Sequence, residues 1–443
     1  MSEPLHLQVN LRQVIYSLSD ALDMVGVDSL GHGKRVAYMA AECANQLGFS
    51  SERFDRLICA AILHDCGVSS TRLHQNLIRE MDWNGAQAHC DRGHALLLGC
   101  PPLADLAEPV RLHHSHWQVL ERQDLDSEDA EIGNLIFLVD RVDALSAQHA
   151  GENLLLAQRD TRDVIRGHAG RMFAPHLIDA FEAVSQRESF WLALGEREID
   201  HYLRAWVARG ATCAVDSPAL RAVADIFATI VDAKSRFTAE HSRGVAALSR
   251  KVGTWAGLDG VACDKLELAG LLHDLGKLRV PDEILEKAGP LDERELAVMA
   301  RHSFDTYAIL EPIDGLREVA LWAAMHHEKV SGDGYPFHHS GEALPPEARI
   351  LAVADVYQAL AQDRPYRKSL APDEIVRILW EMVDGGHLDG DMVALVADRP
   401  DESWASAMQL ADARRASVPR NKGMPDDRSG IRWRTLQGQW IGY

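Results

Sequence analysis

Apolar positions along this chain recur at steps of three and four, the period of a helix face, and seldom at steps of two. Val245, Leu248, Val252 and Trp255 follow His241 in this way, with Thr238 placed to cap the helix start. Ala269-Gly270-Leu271-Leu272 runs into His273-Asp274, which predicts an apolar helix closing at Gly276. A third run, Arg349 to Ala354, reaches Asp355 and continues through Tyr357, Ala359 and Leu360. The expected fold class is all-α, with two tandem helical bundles. A helical stretch from about Ser185 to Leu220 is broken near Gly210 and Ser217-Pro218, which puts the boundary at Ala211 to Pro218 and the domains at 1–210 and 215–400. Beyond Pro400 the pattern changes. Pro419, Gly423, Pro425 and Gly430 break helices, and Arg414, Arg415, Arg420, Lys422, Arg428, Arg432 and Arg434 make the stretch basic. Residues 401–443 are expected to form a partly disordered tail, with Trp433, Trp440 and Tyr443 available for docking.

Composition narrows the class. A length of 443 residues suits two domains, and 47% apolar with 25% charged residues is the balance of a globular protein. The longest apolar stretches, such as Ala320 to Met325, are too short to span a bilayer, and Met1 to Arg12 carry no signal peptide. A cytoplasmic protein without a membrane partner is expected. The net charge of −20 opposes DNA or RNA binding but leaves room for a small phosphate ligand, because bound cations can reverse the field locally. Seven cysteines without a CxxC pair read as reduced, buried thiols. The 21 histidines are the unusual feature.

Their positions repeat. Gly31-His32, Leu63-His64-Asp65, His89, His113-His114 and Val139-Asp140 are matched by Glu240-His241, Leu272-His273-Asp274, His302, His326-His327 and Ala354-Asp355. The step from first histidine to the His-Asp pair is 32 residues in both copies, and from lone histidine to the histidine pair 24 in both. The other two steps are 24 against 28 and 26 against 28. This is a tandem duplication. A lone histidine in an apolar run is usually a core residue. Here five histidines and two aspartates fall at the ends of predicted helices that can converge. Imidazole with carboxylate suits Fe, Mn, Zn or Ni, and a carboxylate can bridge two ions.

The second copy resembles the HD superfamily of metal-dependent phosphohydrolases, in its HD-GYP branch. His273-Asp274-Leu275-Gly276-Lys277 is similar to the HDxGK signature. His326-His327-Glu328 with Gly332-Asp333-Gly334-Tyr335-Pro336 is similar to HHE…GxGYP, and Asp355 through Asp363-Arg364-Pro365-Tyr366-Arg367-Lys368 to D…DRPYR. The resemblance covers about residues 222–400. It implies an all-α phosphodiesterase that hydrolyses cyclic di-GMP to linear pGpG, and in some members on to GMP, through a hydroxide bridging two metals. It makes His241, His273, Asp274, His302, His326, His327 and Asp355 ligands, with Asp274 shared. Lys277, Arg364 and Arg367 would hold phosphate, Gly332 and Gly334 would let the backbone approach the ligand, and Tyr335 would stack on a guanine. Members with three metals carry Glu four residues before the first histidine. Phe237 stands there, so two divalent ions, Fe or Mn, are expected.

The first copy keeps His32, His64, Asp65, His89, His113, His114 and Asp140, with Asp28 in the place of that Glu. Asp28 reads first as a solvated helix-start residue. Val68 replaces the lysine, Ser115-His116-Trp117 follows the histidine pair without a GYP loop, and Ser146, Gln148, His149 and Gly151 stand where arginines belong. Such a degenerate HD domain is open to three roles: metal binding without this cleavage, a metal-free sensing or dimerisation unit, or hydrolysis of something else. For the whole chain, two alternatives stand beside cyclic di-GMP hydrolysis. One is preference for cyclic GMP-AMP. The other is a signalling scaffold with little turnover. Whether the chain forms a homodimer or engages a signalling partner is open.

Overall fold

The computed structural model describes residues 9–26, 31–68, 70–83, 85–147, 149, 154–210, 216–234, 240–287, 289–363 and 368–415. Thr238, Phe237, Asp28, Gln148, Gly151, Arg364 to Arg367, Trp433, Trp440 and Tyr443 lie outside them. Every regular element among the described residues is a helix, and the sole extended pairing among them is an isolated bridge between Ala169 and Phe173. None of their helices is long and apolar enough to cross a membrane.

The duplication is visible in the order of helices. Leu11–Asp23, His32–Leu47, Ser51–Leu63, Gln87–Leu98, Ala107–Leu112 and Ser127–Ala147 correspond to Ser217–Lys234, His241–Trp255, Gly260–Leu272, Glu293–Leu310, Arg317–Ala324 and Pro346–Ala361. Their starts are set by side-chain caps at several points. Ser50 accepts from Arg53 N, Asp259 from Ala262 N, and Asp292 with Glu295 closes a capping box. Gly260–Leu272 and Pro346–Ala361 are apolar around most of their circumference, and that composition sends them to the middle of the bundle. They carry His273-Asp274 and Asp355 with them.

Several expectations need correcting. The helix at the first histidine begins at His241, with Glu240 at its N-cap in the left-handed region (φ 80°) and no side-chain cap. The next helix ends at Leu272, short of Gly276, and the chain tightens into a 3-10 turn over Leu275–Arg279. His302 and Asp355 sit within helices, not at their ends. The stretch after Pro400 begins as a helix, Pro400–Arg415. Ser403, Ala407 and Met408 of that helix are buried, because its apolar residues have the His241–Trp255 helix to pack on.

The two bundles share one apolar core. Val14 and Leu18 of the first helix meet Leu220, Val223, Leu272, Leu310 and Leu316 across the junction. Polar contacts add to this: Asp282 accepts from Thr71 N (3.1 Å), and Gln13 donates to Pro312 O (2.9 Å).

Candidate metal centre

Three of the C-terminal histidines are oriented in one way. His273, His302 and His326 each donate Nδ1–H to the backbone carbonyl three residues earlier, Gly270, Met299 and Ala323, at 2.9, 2.7 and 2.6 Å. That bond fixes the tautomer and turns each Nε2 lone pair inward. His241 instead donates Nδ1–H to Gln358 Oε1 (2.9 Å), and Gln358 in turn donates to Ala407 O of the last helix (3.3 Å). Gln358 lies one helical turn past Asp355, on the same face. That spacing was the signal by which sequence reasoning could have found it.

The inward atoms converge. His241 Nε2 is 3.2 Å from Asp355 Oδ1, and His273 Nε2 is 3.3 Å from Asp274 Oδ2 and 3.8 Å from Asp355 Oδ1. On the other side of Asp274, Oδ1 lies 3.5 Å from His302 Nε2 and 3.7 Å from His326 Nε2, which are 3.3 Å apart. His327 packs on His326, ring centroids 3.9 Å apart. All seven expected ligand residues are thus brought to one centre. They fall into two groups that could each hold an ion, His241–His273–Asp355 and His302–His326–His327, with Asp274 between.

The residues fit a metal. His273 Nε2 and Asp274 Oδ1 are buried without a hydrogen bond, a cost that an ion ligated by both atoms would remove. Burial holds His302 near 4 and His326 near 3, with Lys277 and His273 respectively adding to the depression, so both rings are neutral lone-pair donors. Burial alone would raise the Asp274 carboxyl, but His273 and Lys277 outweigh it and hold it well below its usual value.

What closes the centre is a glycine. A Cβ on Gly276 would stand 2.1 Å from His302 O, so only glycine lets the turn after His273-Asp274 press against the helix that delivers His302. Gly67 stands in the same relation to His89 O, at 2.0 Å. Thr306 ties the contact, donating to His273 O (3.1 Å) and accepting from Gly276 N (2.9 Å).

Lys277 donates from Nζ to Asp274 Oδ2 (2.7 Å). Tyr335 sits beside His327, centroids 4.9 Å apart. The two loop glycines make close approaches within the loop itself. Gly332 adopts φ 89° with Ser340 2.8 Å from where its Cβ would be, and a Cβ on Gly334 would meet Lys329 N at 2.4 Å. Both positions serve closure of the loop on itself. Buried Glu328 braces that loop, accepting from Phe337 N (2.6 Å), His338 N (3.1 Å) and His339 N (3.1 Å). Arg364 and Arg367, expected to hold phosphate, fall outside the described residues.

The N-terminal copy repeats the convergence. His32 Nε2 is 3.4 Å from Asp140 Oδ1 and 3.8 Å from Asp65 Oδ2, and His64 Nε2 is 3.5 Å from Asp65 Oδ2. His89 and His113 Nε2 approach Asp65 Oδ1 at 3.2 and 3.7 Å, while His114 Nε2 is 3.9 Å from Asp140 Oδ2. His32 has a carboxylate, Asp143, where His241 has an amide. Against the penalty of burial, Asp143, Asp140 and Asp65 push His32 up to about 9. An arginine adjoins Asp140, though not one free to act as a phosphate fork. Arg141 binds Asp140 Oδ2 through two nitrogens (2.7 and 3.1 Å) and spends its other donors on Leu77 O and Glu80 O.

Both copies match a family model described as HD domain, over residues 30–148 and 225–392. The chain is 36% identical, over 88% of its length and 91% of the relative's, to 3'3'-cGAMP-specific phosphodiesterase 1 of Vibrio cholerae. The chain belongs to the HD-GYP family of cyclic-dinucleotide phosphodiesterases. Within this HD-GYP family it is also similar, at 44% identity over 26% of its length and 31% of the relative's, to the cyclic di-GMP phosphodiesterase response regulator RpfG of Xanthomonas campestris. The crystal structure of a cyclic GMP-AMP-specific phosphodiesterase of V. cholerae shares the fold, with a TM-score of 0.61 at 23% identity, covering 91% of this chain and 98% of that one.

Proposed function

We propose that this HD-GYP enzyme hydrolyses 3'3'-cyclic GMP-AMP to a linear dinucleotide at its C-terminal centre, using two divalent ions. The observation that carries the substrate is the extent of likeness. A relative named for 3'3'-cGAMP aligns across both HD domains, whereas RpfG, named for cyclic di-GMP, aligns over 117 residues. Cyclic di-GMP, the first expectation, becomes the secondary substrate.

His241, His273 and Asp355 would hold one ion, His302, His326 and His327 the other, and Asp274 both. Iron or manganese suits this mixture of imidazole and carboxylate. When bound, such ions supply Lewis acidity toward phosphoryl oxygens and lower the pKa of water. The protein's own part is to hold that centre and to place cations on the substrate. Lys277, carried on the turn directly after Asp274, would meet the phosphate oxygens on which charge grows. Tyr335 offers a ring to a purine at the rim. Glu328 keeps the loop bearing Tyr335 in place through its three backbone bonds.

Metal content and product analysis test this together. The purified full-length chain, prepared anaerobically with iron or manganese, is given 3'3'-cGAMP and cyclic di-GMP in parallel. The expected result is about two ions in the C-terminal domain and a kcat/KM for 3'3'-cGAMP about tenfold or more above that for cyclic di-GMP, a gap within reach of a single purine contact. Equal or reversed preference would return the assignment to cyclic di-GMP.

A further inference from the structure

Cys90 follows His89 in the N-terminal copy, at the position Ser303 holds after His302 in the other. It is fully buried and a free thiol. Its Sγ lies 3.8 Å from His89 Nε2 and 3.9 Å from His113 Nε2, with Ala86 O at 3.5 Å. The two imidazole nitrogens are 3.1 Å apart, and Asp65 Oδ1 stands 3.2 and 3.7 Å from them. We propose that the N-terminal HD domain holds a single thiophilic transition-metal ion between Asp65, His89, Cys90 and His113, a ligand set that the C-terminal centre does not have.

The spacing of the two imidazoles and the thiol suits a tetrahedral ion. Bond lengths of about 2.0–2.1 Å to nitrogen and about 2.3 Å to sulfur put neighbouring ligand atoms about 3.3 to 3.6 Å apart. The sulfur–nitrogen, nitrogen–nitrogen and oxygen–nitrogen distances lie within a few tenths of an ångström of these values. A second observation points the same way. Asp65 Oδ1 and His64 Nε2 are buried without a hydrogen bond, and they are the counterparts of Asp274 Oδ1 and His273 Nε2, orphaned in the C-terminal centre. The chain thus leaves the same two atoms facing inward in both copies.

The ion belongs on the Cys90 side. On the His32 side, Arg141 occupies one oxygen of Asp140, and the position after Asp355 in the other copy is Val356. A guanidinium bound there opposes a second cation through like charge. On the Cys90 side the thiol proton leaves to solvent as the ion binds, so the ligand set gains an anion. A thiolate with two imidazoles and one carboxylate suits zinc, cobalt or ferrous iron and disfavours magnesium and calcium.

Cobalt tests the site independently of turnover. The full-length apoprotein is loaded with Co(II), and the near-ultraviolet spectrum is read for a thiolate-to-cobalt charge-transfer band. The wild type is expected to show it and Cys90→Ser to lose it, since the C-terminal ligands include no sulfur. Zinc content after dialysis should fall by about one ion per chain in Cys90→Ala. Cys90→Ser reproduces the Ser303 arrangement of the other copy, and far-ultraviolet circular dichroism should show its fold intact. Absence of the band in the wild type, its persistence in Cys90→Ser, or unchanged zinc content in Cys90→Ala would each overturn the proposal.

Discussion

A lysine three residues past Asp274 faces the same side of its turn, which is why Lys277 Nζ reaches Asp274 Oδ2 at 2.7 Å. The contact leaves two readings of the lysine: support for a metal ligand, or a phosphate hand beside it. Lys277→Ala separates them. If Lys277 serves phosphate, metal content stays at the wild-type value while kcat/KM falls by about 10²- to 10³-fold, the range for removing one donor to a developing oxyanion. Concurrent loss of metal would make it a support for Asp274. Residues such as these were legible because seven ligand-type side chains repeat at matched steps. Their supports were less so, with only its spacing from Asp355 to mark Gln358. Gln358 and Asp143 hold the first histidine of each copy, yet an amide and a carboxylate on a helix read equally well as solvated. Glu328 is buried only because three backbone N–H groups of its own loop turn onto it, a fact of tertiary structure. Arg141 stood next to a recognised ligand and was passed over, because an arginine after an aspartate carries no spacing signal. Cys90 read as one more buried thiol, and only its distance to two imidazoles distinguishes it.

The 3-10 turn Leu275–Arg279 is held between domains. Lys234, at the end of the Ser217–Lys234 helix, is buried, donates to Leu278 O, and stands 3.8 Å from Asp282 Oδ1. Asp282 in turn accepts from Thr71 N of the first domain. Burial lowers the Lys234 ammonium to about 8, with Asp282 and Glu283 pulling the other way. The sign of its linkage follows. Between about 8 and the unfolded value near 10.4 the unfolded chain carries the proton more often, so this group raises folding stability as pH increases through that window. Each unit contributes up to about 1.4 kcal/mol. Urea midpoints of the wild type should therefore gain on those of Lys234→Met between pH 8 and pH 10, whatever their order at pH 7. A constant difference across that range would mean the lysine keeps its charge throughout. Helices themselves were readily foreseen, since apolar steps of three and four are local. The Pro400–Arg415 helix was assigned to the tail because of the helix breakers and basic residues that follow it. Packing on a neighbouring helix holds it, and packing is not local.

At the scale of the molecule, one fold used twice has diverged in what surrounds the candidate metal ligands. The all-α class and the tandem arrangement were legible from the repeat alone. Substrate preference was not, because one purine contact would suffice to set it and the arginines expected to hold phosphate carry no distinguishing spacing. The N-terminal copy has Val68 in the place of Lys277, buried and without charge. Arg141, the guanidinium at Asp140, is spent on that carboxylate and two carbonyls. Where the second copy has its GxGYP loop, the first runs into Trp117 and Gln118, whose N–H groups bond to Met172 O and Arg171 O (2.9 and 3.1 Å). That segment therefore lies against its own domain, and among the described residues neither a lysine in the Lys277 position nor a GxGYP loop faces a dinucleotide. Binding a metal is compatible with this, and the expected outcome is that the copy does not turn over a substrate with two phosphates and two purines. The full-length Asp274→Ala variant isolates the question, since it removes the shared ligand of one centre and leaves the other copy whole. Its turnover of both 3'3'-cGAMP and cyclic di-GMP should be lower by about 10³-fold or more, in iron- and manganese-loaded preparations alike. Product formed at a tenth of the wild-type rate or faster would require a second catalytic centre, and the N-terminal histidines would be the place to look for it.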